Sequence, residues 1–224
     1  MAQEKFDGNR CLLKSEDTVI ALNKKGTQVG INQLIAESIN NAFLILDGEL
    51  IGDRFVAFDL ITDKNLPCEE RIRLLNNLSF GSSIEIAETA YTTEEKQAMF
   101  DRLKATNKEG IVFKLKTSLY KHGRPSSLGS QLKWKFQKSA TCIVANHTTG
   151  KRSIGLEIID GDKRVSIGKC TIPPNHEMPS VGSLVEIQYL YCISNLFQPV
   201  YKGVRTDSDL TDCTISQIVY KAED

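Results

Sequence analysis

A lysine, a carboxylate and an arginine stand close together near the N-terminus, in the string Lys5-Phe6-Asp7-Gly8-Asn9-Arg10. Further strings follow in order: Leu46-Asp47-Gly48-Glu49-Leu50, Phe55-Val56-Ala57-Phe58-Asp59-Leu60, Glu109-Gly110-Ile111-Val112-Phe113-Lys114 and Leu132-Lys133-Trp134-Lys135. An amine attacks only after losing its proton. For an ordinary lysine at pH 7 that costs about 4.6 kcal/mol, a cost that nearby positive charge lowers. Side chains alternate across a strand, so Lys5 and Asp7 are expected to share a face, as are Asp47 with Glu49 and Lys133 with Lys135. Converging faces of this kind offer a nucleophilic amine, several carboxylates and a lysine pair, with Phe58 as a flat apolar surface. Asp47, Glu49 and Glu109 supply the oxygens a hard divalent cation wants, and the lysines pair with phosphate oxygens. The set suits a nucleoside triphosphate and a metal. Each string alone also has a structural reading: Asp-Gly as a turn, Lys-Trp-Lys as a half-exposed strand, Phe58 as core, Gly110 as the residue ending a helix. Their joint occurrence in order is what points to chemistry.

The 224 residues carry 28 basic and 28 acidic side chains, with 41% hydrophobic and 25% charged residues, a composition that excludes disordered and fibrous classes. No apolar run reaches the ~18–20 residues that span a bilayer, and MAQEKFDGNR has no signal-like apolar core. A soluble cytoplasmic protein with no membrane partner is expected. Zero net charge argues against polyanion binding by the whole surface, yet a mean hides patches. Between Arg102 and Lys138 stand ten basic residues and a single acidic one, Glu109. From this stretch Lys114, Lys116, Lys121 and Arg124 are expected to face a nucleic-acid backbone. The six cysteines form no C-x-x-C pair, and buried free thiols are expected rather than a zinc ribbon or a redox motif. His122, His147 and His176 show no metal-ligand spacing.

The elements that must position these residues are short. Apolar runs at Cys11–Leu13 and Val19–Leu22 read as strands, and Ile31, Leu34, Ile35 and Ile39 recur at helical spacing. The runs 42–51 and 54–61 flank Gly52-Asp53 as a hairpin. A helix opens at Pro67, a strand covers Ser83–Ala87, and Thr92-Thr93-Glu94-Glu95 fits a capping box for a helix to about Thr106. Strands at 110–115 and 132–136 bracket a Gly- and Ser-rich segment. From Lys138 onward, short β runs parted by Asp160-Gly161-Asp162 and Pro173-Pro174-Asn175 suit a small five-stranded barrel of the OB type. The expected fold class is α+β: a first domain of antiparallel sheets with helices over 1–137, then an OB barrel over 138–224.

From Lys5 to Asp207 the ordered strings resemble the covalent nucleotidyltransferases: ATP-dependent DNA ligases, RNA ligases and mRNA capping enzymes. The chain looks most similar to the small two-domain DNA ligases of phage or bacterial type. The resemblance implies a nucleotidyltransferase domain followed by an OB domain, ATP as substrate, Mg²⁺ or Mn²⁺ as cofactor, and action as a monomer on nicked duplex DNA in a bacterial or phage-infected cytoplasm. It implies Lys5 as the site of a lysyl-AMP adduct, with Asp7 and Arg10 beside it in the same motif. Arg10 would contact the ribose and the nick, and Glu49 the ribose. Phe58 would stack on adenine, Glu109 and Glu49 would serve a metal, and Lys133 and Lys135 would hold the AMP phosphate. Gln3 stands where many relatives place a glutamate that reads the adenine amino group, and its carbonyl can accept the same hydrogen bond. Tyr120-x-x-Gly123-Arg124 resembles the family's stretch before the last lysine pair. Arg205 and Asp207 resemble an OB-domain motif that orients pyrophosphate, with Ser208 where a lysine usually follows. Only four residues precede Lys5, and no further DNA-binding region follows, so encirclement of DNA is expected to be weak or to need a partner. Alternative readings are an RNA ligase, a GTP-using capping enzyme, or a non-catalytic OB-fold nucleic-acid-binding protein.

Overall fold

The computed structural model describes residues 1–40, 43–123 and 129–221. The chain divides after Lys135, slightly before the boundary expected from sequence, into Met1–Lys135 and Phe136–Asp224. Each unit buries its own apolar core.

In the first unit the elements run β1 (Ala2–Lys5), β2 (Asn9–Ser15), β3 (Val19–Asn23), β4 (Gln28–Val29), α1 (Gln33–Glu37), β5 (Leu44–Ile51) and β6 (Arg54–Ile61). Then come α2 (Cys68–Asn76), β7 (Ile84–Ile86), β8 (Thr89–Ala90), α3 (Thr93–Ala105), β9 (Gly110–Lys114) and β10 (Gln131–Lys135). Two sheets result, one ordered β10-β9-β1-β8 and the other β4-β3-β2-β5-β6-β7. All neighbours are antiparallel except β6 and β7. Sequence explains much of this locally. Cys11, Leu13 and Ser15 alternate inward along β2. Gly52 takes φ 58° at the β5–β6 turn, a left-handed conformation that glycine adopts freely. Along α2, Cys68, Arg71, Ile72 and Leu75 recur at helical spacing and form the buried face against β6. Glu69 and Glu70 in its first turn and Arg73 in its last complement the helix dipole. At α3 the Thr92 hydroxyl accepts from the Glu95 backbone N–H while the Glu95 carboxylate accepts from that of Thr92, the expected capping box.

The second unit contains β11 (Lys138–His147), β12 (Ser153–Asp160), β13 (Lys163–Thr171), β14 (Leu184–Tyr189) and β15 (Val200–Val204). They form one antiparallel sheet ordered β13-β12-β11-β14-β15, and β15 also approaches β13. Its core holds Cys142, Cys170 and Cys192 beside Ile, Leu, Val and Tyr side chains. All six cysteines are free and buried, and burial raises the pKa of each thiol, which keeps them unreactive.

Candidate active site

The register of the first unit's smaller sheet builds one wall. Strand β9 lies between β1 and β10, with Lys5 and Lys135 both paired to Gly110, and Gln3 and Lys133 both paired to Val112. Two rows of side chains therefore stand on one face, Lys5–Gly110–Lys135 and Gln3–Val112–Lys133, while Ile111 points the other way and is fully buried. Nothing larger than glycine fits the first row, because a Cβ on Gly110 would lie 2.1 Å from the Trp134 carbonyl oxygen. Just before β9, Glu109 is buried to 7% exposure. Its carboxylate pairs with Lys5 Nζ at 2.5 Å and Lys135 Nζ at 3.1 Å, so two lysines from separate strands converge on one anion. The expected pairing of Lys5 with Asp7 on a strand face is not found. Strand β1 ends at Lys5, and Asp7 sits half-buried in the turn toward β2.

The second wall comes from β2, β5 and β6. Arg10 is paired with Glu49 across the β2–β5 ladder. Its guanidinium bonds both oxygens of Asp47, Nε to Oδ1 at 2.9 Å and Nη2 to Oδ2 at 2.7 Å. This bidentate bond holds Arg10 more firmly protonated than an ordinary arginine. The Tyr120 hydroxyl also donates to Asp47 Oδ2, at 2.9 Å. Desolvation and the Asp47 charge push the phenol's pKa well above its usual value. Between β5 and β6 the ladder pairs Asp47 with Asp59 and then Gly48 with Ala57, so Phe58 is the extra residue of a β-bulge. Bulges re-aim side chains, and this one leaves Phe58 lining the cavity between two fully buried neighbourhoods.

Between the walls lies a cavity of about 160 Å³, lined by Gln3, Lys5, Arg10, Glu49, Phe58 and Lys133 among others. Its charges are mutually strained. Burial raises the Glu49 carboxyl to about 7, against the pull of Lys5 and with a further push from Glu109. Burial also disfavours the Lys133 ammonium, as do the charges of Lys5 and Arg10. A bound anion would relieve this concentration of positive charge. In the same row as Lys133, Gln3, 1% exposed, donates from Nε2 to Thr89 Oγ1 at 2.9 Å. Its Oε1 is buried and finds no hydrogen-bond partner among the described residues. A purine amino group is one donor that would satisfy it.

Lys114 departs from expectation. The basic stretch points it toward a nucleic-acid backbone, but it is 6% exposed and belongs to the cavity wall. Its ammonium donates to the Phe58 carbonyl at 2.8 Å and stands 4.9 Å from the Phe58 ring centroid. It therefore supports the aromatic from within and cannot reach a duplex backbone. Burial lowers its pKa. Lys116 pairs with Glu69 of α2 at 3.0 Å, and Lys121 is exposed beside Tyr120. Arg124 lies outside the described residues. In the second unit Arg205 makes a bidentate pair with Asp207, at 2.7 and 2.9 Å. The described residues contain no cluster of three or more His, Cys, Asp or Glu able to enclose a metal. Glu49 lines the cavity, and Glu109 stands behind it on Lys5 and Lys135, so two carboxylates lie at or next to the site. That donor set fits Mg²⁺, which keeps several waters and is commonly held by one or two carboxylates plus substrate phosphates.

No protein-family model and no curated protein matches the sequence. Solved structures do match the fold. One, from a structure–function study of Lig E DNA ligases and their DNA binding with a minimal scaffold, aligns over 91% of this chain and 91% of its own, with TM-score 0.70 and 19% identity. Another, Pmar-Lig_PreS3, aligns over 91% of this chain and 63% of its own, with TM-score 0.70 and 19% identity. The ligase domain of LigD from M. tuberculosis aligns over 95% of this chain and 91% of its own, with TM-score 0.53 and 18% identity. The chain has the fold that these structures share.

Proposed function

We propose that this protein is an ATP-dependent DNA ligase that seals 5′-phosphate/3′-hydroxyl nicks in duplex DNA through a lysyl-AMP intermediate on Lys5. The observation that carries the reading is the Lys5 amine, fixed by Glu109 at 2.5 Å, at the wall of a cavity that joins phosphate-seeking lysines to a buried, unpaired acceptor at Gln3. The ligase fold of the neighbours supports the same reading. The second unit, an antiparallel sheet ordered β13-β12-β11-β14-β15 with β15 approaching β13, supports an OB barrel in that part of the chain.

In this scheme the Lys5 nitrogen attacks the α-phosphorus of ATP, forming a P–N bond as the bond to pyrophosphate breaks. The 5′-phosphate oxygen of the nick then attacks the same phosphorus and expels the lysine amine. Finally the 3′-hydroxyl attacks the 5′-phosphorus, losing its proton and releasing AMP. Gln3 and Phe58 hold the base, Glu49 and Arg10 the ribose, and Lys133 and Lys135 the phosphate. Asp47 and Tyr120 keep Arg10 aimed. Glu109 and Glu49 would hold Mg²⁺ or Mn²⁺, which neutralises phosphate charge when bound. Arg205 acts on the leaving pyrophosphate, and Lys121 with Lys116 and Arg124 meets the duplex backbone. The protein works as a monomer, in the cytoplasm of a bacterium or a phage-infected cell.

Labelled ATP and GTP, supplied in parallel with Mg²⁺, test this. Wild-type protein should acquire a covalent label from ATP and seal a nicked DNA duplex, and Lys5→Ala should do neither. A covalent adduct formed only with GTP would sink the reading.

A further inference from the structure

The pairing of β1 with β8 places Thr89 directly opposite Gln3. A glutamine amide has a donor end and an acceptor end, and something must decide which one is left without a partner beside the cavity. The Thr89 hydroxyl carries one proton and lies 3.3 Å from the Ala87 carbonyl, to which it donates. With its proton committed there, Oγ1 can only accept from Gln3, so the group 2.9 Å away must be the amide NH₂. The carbonyl end, Oε1, is thereby left as the buried acceptor without a partner among the described residues. Ala87 is itself anchored, because its N–H donates at 2.8 Å to the carbonyl of Ala57, the residue before Phe58. The relay thus ties the amide to the strand that carries the aromatic.

We propose that Thr89 is the positioning residue for base selectivity: through Ala87 it fixes the Gln3 amide with its oxygen toward the base, so that the cavity takes adenine nucleotides and refuses guanine nucleotides. This rests on the reading of the cavity as a nucleotide site. Adenine offers an amino group at C6, which satisfies Oε1. Guanine offers a carbonyl there, which would set two acceptors against each other, and buried mismatches of this kind discriminate strongly. A carboxylate accepts at both ends and needs no such orientation. A glutamine does.

The test measures ATP and GTP binding by calorimetry in the Lys5→Ala background, where chemistry is blocked, and adduct yield from each nucleotide in the Lys5-containing protein. Protein with unaltered Thr89 should prefer ATP, and Thr89→Ser should keep that preference. Thr89→Val and Thr89→Ala, whose amide is free to turn over, should lose it by roughly tenfold or more. Adding Gln3→Glu to either should restore it, because a carboxylate is an acceptor however it turns. A role in strand packing alone would not be rescued in this way. An ATP-to-GTP ratio that ignores Thr89, a failure of Gln3→Glu to restore it, or a native preference for GTP would each overturn the relay. Protein that binds ATP with this Thr89 dependence yet forms no adduct would leave the relay standing and overturn only the ligase reading. Binding of neither nucleotide would overturn both.

Discussion

Glu49 shows what it costs to bury a carboxylate at the cavity wall. Its carboxyl is raised from an ordinary 4.5 to about 7, chiefly by burial. A raised carboxyl means that the folded state binds the proton more tightly than the unfolded state. This group therefore contributes nothing adverse below about pH 4.5, destabilises the folded protein increasingly as pH rises to about 7, and adds no further cost above that. Glu49→Gln should stabilise the free protein by about 1–2 kcal/mol at pH 8, after allowance for solvent screening, and by almost nothing near pH 4.5. Urea titrations at the two pH values decide it, and an equal gain at both would remove Glu49 as the source. At Lys5 the prediction separates chemical steps. In the proposed scheme the amine is bonded to AMP only in the first two transfers, so Lys5→Ala should seal no ordinary nick yet still close one supplied with AMP already on its 5′-phosphate, though more slowly. Glu109 touches both Lys5 and Lys135. Glu109→Ala should therefore impair adduct formation and also closure of the pre-adenylylated nick, as a denaturing gel would show.

Among the elements, the β1–β9–β10 ladder leaves no room at Gly110. Gly110 stands between Lys5 and Lys135, and its missing side chain lets the Trp134 carbonyl approach. Gly110→Ala should pry β10 from β9 and destabilise the first unit by about 3 kcal/mol or more. Because the second unit has its own core, its calorimetric transition should stay where it is in wild type; movement of both transitions together would mean that the two units unfold as one. Local signals made the capping box at Thr92, the Gly52 turn and the alternation of β2 legible in sequence. The convergence of Lys5, Glu49, Glu109, Lys133 and Lys135 could be expected from the ordered strings, but the partners that hold them could not. Sequence does not reveal register, and it is register that sets Thr89 opposite Gln3 and Gly110 between the lysines. The bulge that turns Phe58 toward the cavity leaves no trace in the string Phe55-Val56-Ala57-Phe58-Asp59-Leu60. Sequence points Lys114 outward because a lysine is almost never fully buried, and the Phe58 carbonyl and ring explain why this one is.

For the molecule as a whole, zero net charge means that the proposed DNA affinity would have to come from a patch. Each lysine or arginine that neutralises a phosphate releases counterions, so affinity for a nicked duplex should fall linearly on a plot of log K against log salt. The structure divides the basic stretch into groups that can contribute to that slope and groups that cannot. Lys121 is exposed, and Lys121→Ala should flatten the slope by about one unit. Lys116 already pairs with Glu69, so its removal should matter less. Lys114 is spent inside the cavity, and Lys114→Met should leave the slope unchanged while weakening ATP binding through loss of support for Phe58. Binding titrations across a range of salt concentrations, run beside ATP binding, resolve the two effects. A slope that falls with Lys114→Met but not with Lys121→Ala would show that the duplex meets a different face of the protein.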